Sequence, residues 1–165
     1  MTSNVTQLGY VNIKNETIFE VGKFAILWNI FERFKCNFNC TCNKIIEMEK
    51  SLENLDKKTF KQLAAILKTR ASKRRCNIDE YVNNNIYPAN GARINQNDRT
   101  RYIPLVIDFI NSNGEKSLTG ALLAIYRIRN NMFHGLKGYN ELEEQMGLFK
   151  AMNTVLEEVI KWAFT

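Results

Sequence analysis

The sequence predicts an all-α fold, a four- to five-helix bundle with a long Asn-rich loop in the middle, and two observations carry that reading. Apolar residues recur at spacings of three or four through several segments, and alternating strand patterns are absent. The chain has 165 residues, 45% hydrophobic and 24% charged, with 18 aromatic side chains (10 Phe, 6 Tyr, 2 Trp) to fill a core. One domain spanning residues 1–165 is expected. Disorder and collagen-like repeats are excluded by this composition.

The first helix runs from Glu16 to about Phe34, with Ile18, Val21, Ala25, Trp28, Phe31 and Phe34 at helical spacing. Further apolar residues lie on the adjacent faces, so this helix is expected to be buried on most sides. Asn43–Lys50 and Asp56–Arg75 form a second helical region, as two helices or one kinked one. Asn83–Arg101, with six Asn, Pro88 and Gly91, reads as a long polar loop. Pro104 suits the first turn of a helix over Leu105–Ile110, which the Asn-Ser-Asn-Gly run at 111–114 stops. Another helix begins near Ser117 and ends close to His134 and Gly135. The last spans Asn140 to Ala163.

Charge and cysteines narrow the function classes. The net charge is +6. Between Asp56 and Arg101 there are 11 Lys or Arg against 4 Asp or Glu, a net +7, while the rest of the chain holds 12 against 13. Lys68, Arg70, Lys73, Arg74, Arg75, Arg93, Arg99 and Arg101 could hold an RNA backbone by releasing its counterions, or could form a solvated helix end and loop. No apolar stretch is long enough to span a membrane and no secretory leader is visible, so the expected location is cytoplasmic. Cys36, Cys40, Cys42 and Cys76 read as reduced thiols, since their spacing matches no common zinc pattern; neither a metal nor another cofactor is expected.

Most catalytic signatures are missing: there is no G-x-S-x-G, phosphate-binding Gly-rich loop, H-E-x-x-H or calcium-loop pattern. What remains is the single histidine, His134, in Tyr126-Arg127-Ile128-Arg129-Asn130-Asn131-Met132-Phe133-His134-Gly135. An Arg guanidinium can bind a phosphate in two places and stabilise charge building on it. An imidazole titrating near neutral pH can move the proton of a ribose 2′-OH. Such RNA cleavage needs no metal and leaves a 2′,3′-cyclic phosphate and a 5′-OH. On an ideal helix positions 129 and 134 are about 140° apart and positions 130 and 134 within about 40°. Arg129 and His134 therefore converge only if the helix loosens before His134.

Arg129-Asn130-Asn131-Met132-Phe133-His134 resembles the Arg-x(4 to 6)-His signature of the HEPN superfamily, an all-α group in which a polar residue, commonly Asn, often follows the Arg. The resemblance implies a metal-independent endoribonuclease, acting as a toxin or an antiviral, abortive-infection effector, with Arg129, Asn130 and His134 as catalytic residues. Glu32 is implied as a partner of Arg129, or is a solvent-facing Glu, and Tyr126, one turn before Asn130 on the same face, could line the site or simply pack. A chain with one histidine must borrow its second acid-base group from another subunit, a different residue or water, and ribonucleases of the family typically face two motifs across a homodimer. A composite site between two copies is the expectation, with an antitoxin or regulatory protein as a further partner. Family toxins silenced by modification often carry His-x-Tyr; here that position is Leu136, with Tyr139 beyond it, so the sequence departs from that pattern. The alternative from a different class is a non-catalytic RNA- or nucleotide-binding module or adaptor subunit.

Overall fold

The structure, a computed structural model, describes residues 13–88, 96–133, 142 and 144–161. Among these there is no strand, and eight α-helices follow one another. They are α1 (Asn15–Lys35), α2 (Cys42–Glu47), α3 (Glu49–Leu52), α4 (Lys57–Lys73), α5 (Ile78–Tyr81), α6 (Gln96–Asn111), α7 (Leu118–Phe133) and α8 (Met146–Lys161), with a π-helical turn, Val82–Ile86, continuing α5. The five long helices form the bundle that the periodicity predicts, and the three short ones close its turns.

Local chemistry sets the starts. The Thr41 hydroxyl accepts from Lys44 N ahead of α2, Asp56 accepts from Lys58 N ahead of α4, and Asn77 forms a reciprocal capping box with Glu80. Each such cap contributes about 1 kcal/mol. The second helical region of the sequence thus resolves into α2, α3 and α4. The stop after α6 falls where predicted: Asn113 and Gly114 have φ of 55° and 77°. Gly114 is required twice over, since an added Cβ would also lie 2.7 Å from the Phe60 carbonyl.

Packing places α8 between α1 and α4, while α7 lies along α6 and reaches α2, α3, α4 and the π-turn. Phe24 meets Phe149 edge to face at 5.5 Å, joining α1 to α8. Ala121, Leu122, Leu123, Ala124 and Ile125 are all fully buried, so α7 is the central helix. Its close approach to α6 depends on Gly120, where a Cβ would sit 2.2 Å from Leu105 O and 2.9 Å from Phe109 Cβ.

Four expectations need correction. The polar loop over Asn83–Arg101 is helical at both ends: Asn83, Asn84 and Asn85 lie in the π-turn, and Gln96 to Arg101 open α6, while residues 89–95 lie outside the described residues. Asn83 Nδ2 and Asn85 Nδ2 donate to the carbonyls four residues back, Asp79 O at 2.9 Å and Tyr81 O at 3.2 Å. Pro104 lies inside α6, because Tyr102, Ile103, Val106, Phe109 and Ile110 form one buried stripe across it. Burying that stripe outweighs the ~3 kcal/mol that an internal proline costs a helix. The last helix, expected as one run from Asn140, is interrupted by a turn at Gln145, with Leu142 and Glu144 helical before it and α8 starting at Met146 after it; residues 140, 141, 143 and 162–165 lie outside the described residues. Finally, α1 is not buried on most sides. Thr17, Phe24, Trp28 and Phe31 are inside, whereas Ile18 and Phe34 are 55% and 54% exposed.

Two of the helical glycines, Gly120 and Gly147, give a paired test. Gly120→Ala drives a methyl into backbone and should lower stability by at least 2 kcal/mol or abolish folding. Gly147→Ala meets nothing within 4 Å and should raise it by about 0.5–1 kcal/mol. Urea unfolding of both variants checks the sign at each site.

Candidate functional site

The C-terminal two turns of α7 are where the central helix changes character. Its first half is apolar except for Thr119, whose hydroxyl donates to Glu49, and then Tyr126, Arg127, Arg129, Asn130 and Asn131 follow within six positions while the helix is still packed on several sides. Polar groups in that position must be satisfied by specific partners, which divides them between two faces.

One face carries Arg129, Asn130 and Tyr126, all half-buried. Arg129 Nη1 donates to Asn130 Oδ1 at 3.0 Å, and its guanidinium carbon lies 5.7 Å from the Trp28 ring centroid. The Tyr126 ring lies 5.9 Å from that of Trp28, which in turn leans on Phe31 at 5.2 Å. The α1 residue Trp28 is therefore the floor on which the first part of the motif rests. Glu32, one turn further along α1, accepts from Cys40 N at 3.2 Å through Oε1, and its carbonyl accepts from Cys36 N and Phe38 N. This carboxylate closes the loop after α1. His134 lies outside the described residues.

The other face is structural and was not foreseen. Arg127 is only 4% exposed, with its guanidinium carbon 5.3 Å from the Tyr87 ring centroid and Nη2 3.5 Å from Asn131 Oδ1. Asn131, 2% exposed, donates through Nδ2 to Ile86 O at 3.0 Å. Burial pulls the Arg127 guanidinium below its usual value, opposed by Tyr87 and Cys42. Burial pushes the Tyr87 hydroxyl up. It also pushes Cys42 up to about 11, with Asp98 adding to the effect. The available signal was the i, i+4 spacing of Arg127 and Asn131, which marks a shared face without saying whether it meets water or protein.

The basic residues fall into two groups. At the end of α4, Arg70, Lys73 and Arg74 line a surface cavity of about 390 Å³ together with Glu144. Beside it, Arg70 Nε donates to the Tyr81 hydroxyl at 3.3 Å and Lys68 Nζ to Asn113 Oδ1 at 2.7 Å, while Arg75 turns the chain with a φ of 55°. The second group, at the start of α6, is engaged with the fold: Arg99 Nη2 donates to Tyr87 O at 2.9 Å and Arg101 Nη1 to Asn43 Oδ1 at 3.1 Å. Arg93 lies outside the described residues. Cys36 and Cys40 are buried side by side, Sγ to Sγ 2.7 Å, and Cys40 is pushed well above the usual thiol range, first by that contact and then by burial. Among the described residues no group of His, Cys, Asp or Glu is arranged to hold a metal ion, and no helix is long and apolar enough to cross a membrane.

The chain matches no model of a known protein family, no curated protein and no solved structure. What the site can do is therefore read from its residues.

Two outcomes test this anatomy. Asn131→Ala removes the Ile86 bond and leaves a buried carbonyl and Arg127 short of a partner, so stability should fall by about 1–3 kcal/mol, measured by urea unfolding. The raised thiols make a pH prediction. A group protonated more tightly in the fold than in the unfolded chain stabilises below the unfolded value of about 8.5 and loses that contribution as pH rises. The thermal midpoint should therefore decline from about pH 8.5 up to the folded value of about 11 at Cys42, and less steeply in Cys42→Ser.

Proposed function

We propose that the chain is an endoribonuclease of HEPN type that cleaves RNA without a metal, with Arg129, Asn130 and His134 as its catalytic residues. The observation that carries this reading is the separation of the two arginines at the end of α7. Arg127 is buried against Tyr87, whereas Arg129 and Asn130 stay half-exposed beside each other on Trp28, within the Arg-Asn-x-x-x-His pattern. A guanidinium resting on an indole keeps its charge, which suits it to stabilise negative charge on a phosphate.

In the proposed reaction His134 takes the proton of a ribose 2′-OH, and the 2′ oxygen attacks the adjacent phosphorus. The 5′ oxygen of the next nucleotide leaves with a proton, giving a 2′,3′-cyclic phosphate and a 5′-OH. Arg129 holds the non-bridging oxygens as charge builds on them, and Asn130, bonded to Arg129, orients it. The proton for the leaving oxygen comes from a second group, which a homodimer with a composite site would provide as His134 of the partner subunit. The open cavity under Arg70, Lys73 and Arg74 suits the RNA backbone beyond the scissile bond. A toxin or abortive-infection role, paired with an antitoxin or regulator, follows from the resemblance to the family.

The same cavity favours a second reading, an RNA-binding module without catalysis, since it needs none of the α7 residues. One experiment separates the two: a mixed RNA pool in excess EDTA, with wild type, Arg129→Ala and His134→Ala purified identically and the product ends identified. Cyclic-phosphate ends from wild type and at least a hundredfold less from either variant are expected; equal cleavage by all three would sink the proposal. Neutralising Lys73, Arg74 and Arg75 together should weaken RNA binding and lower the slope of log affinity against log salt by about 2.

A further inference from the structure

The three cysteines between α1 and α2 take no part in the proposed cleavage, and two of them are held against each other. Cys36 and Cys40 are 1% and 5% exposed, with their sulfurs 2.7 Å apart. That is inside the 3.5–4.0 Å at which even two carbon atoms rest when no bond joins them. The remaining thiols have other surroundings. Cys42, the first residue of α2, lies in the field of Asp98, Arg127 and Tyr87, and Cys76 donates to Ala71 O at 3.5 Å.

The backbone between the pair is shaped for this approach. In a continued helix the Cβ atoms of positions 36 and 40 would stand about 5–6 Å apart, whereas a disulfide spans about 3.8 Å. The chain instead leaves the helix at Cys36 and turns through Asn37 and Phe38, with φ of 48° and 63°. A bulky residue in the left-handed region is strained, and Phe38, 69% exposed, gains little burial in return. The turn is held from both sides. Cys36 N and Phe38 N donate to Glu32 O, Cys40 N donates to Glu32 Oε1 at 3.2 Å, and Asn39 N donates to Cys36 O at 3.2 Å. Lys44, from α2, donates through Nζ to Cys36 O at 2.7 Å and Asn39 O at 2.9 Å. Apart from the Arg33 guanidinium over the Phe38 ring, what this strained turn brings together is the two sulfurs.

We propose that Cys36 and Cys40 are a redox pair, closed to an intramolecular disulfide by exchange with a small-molecule disulfide of the glutathione type and reopened by the corresponding thiol. One cysteine, as its thiolate, attacks the external disulfide, forming a mixed disulfide and releasing one glutathione. The second cysteine then attacks the first cysteine's sulfur, forming the Cys36–Cys40 bond and releasing the other glutathione. The two cysteines lose two electrons and two protons in all, and the external disulfide gains them as two thiols.

The fold has already done what a flexible chain would have to do, which is to bring the sulfurs together and hold them there. Closure is therefore more favourable in the folded than in the unfolded chain, and by linkage the bond stabilises the fold by the same factor. It fastens the last turn of α1 to Thr41, the cap of α2, beside the hydrogen bond between Cys40 and Glu32. The contact with Cys36, and then burial, keep Cys40 protonated, so the pair is a poor target for direct oxidation by peroxide. Exchange proceeds as the exposed residues Asn37, Phe38 and Asn39 lift from the sulfurs. None of this rests on the ribonuclease reading.

The test uses the full chain in glutathione buffers of graded oxidised-to-reduced ratio, native and in urea, with acid quenching, alkylation and peptide mapping. In the native chain a Cys36–Cys40 bond is expected, reversed by excess thiol and favoured about a hundredfold over the same bond in urea. A chain carrying Cys42→Ser and Cys76→Ser holds the pair alone, and its thermal midpoint should rise on oxidation and fall back on reduction. Adding Cys40→Ser to that chain should abolish both the bond and the rise. Native chain that keeps both thiols at a ratio that closes the pair in urea overturns the proposal, as does a bond that maps to Cys42, to Cys76 or between chains. A bond no more favourable folded than unfolded also overturns it, and so does one that forms only when the chain is refolded in the oxidised buffer, which would make it a fixed structural link.

Discussion

Burying the charge of Arg127 is the constraint on which the site end of the bundle depends. Withdrawing a guanidinium from water costs several kcal/mol unless its donors and its charge are met. The chain meets them with the face of Tyr87 and the Asn131 amide, with Cys42 adding to the favourable field. Each partner then has to be held. Asn131 is fixed by the Ile86 carbonyl, and the Tyr87 carbonyl is fixed by Arg99, so α7, the π-turn and the start of α6 become one assembly. Register follows from this. Arg127 and Arg129 lie about 160° apart around the helix, so locking the first inward turns the second outward onto Trp28.

That assembly also explains which parts of the fold were legible. Helices α1, α4 and α7 announce themselves because their buried residues keep a period of 3.6, and the start of α4 at Asp56 and the stop of α6 before Gly114 are readable from local chemistry one residue at a time. The Asn-rich stretch misled because Asn disfavours helix only where its side chain competes with the backbone. In the π-turn Asn83 and Asn85 bond the carbonyls of the preceding turn instead. Pro104 misled for a related reason: a proline signal is local, and the stripe from Tyr102 to Ile110 that overrides it is paid in tertiary burial.

The candidate site was half legible. Arg129, Asn130 and Tyr126 stand together as their spacing suggested, with Trp28 as an unforeseen floor, because contact between α1 and α7 is a long-range fact that no local pattern encodes. Glu32 was placed near the motif, yet its bonds go to the loop around Cys36 and Cys40. Of the basic residues, net charge counted all alike. The structure distinguishes Arg70, Lys73 and Arg74 at the end of α4, which line an open cavity, from Arg99 and Arg101, each of which gives a donor to the fold, at Tyr87 O and Asn43 Oδ1.

The two apolar faces of α1 bring the fold and the site into one argument. The inner face supplies Trp28, which supports Arg129, and so α1 must be held firmly enough for a half-exposed guanidinium to keep its place. Contact with α8 secures α1 along one side only. Any cover on the outer face would stiffen the helix from the other side, and so would reach Arg129 through Trp28 without touching it. Anything that covered the outer face would in that way be linked to the geometry at the end of α7, even though the two face opposite directions.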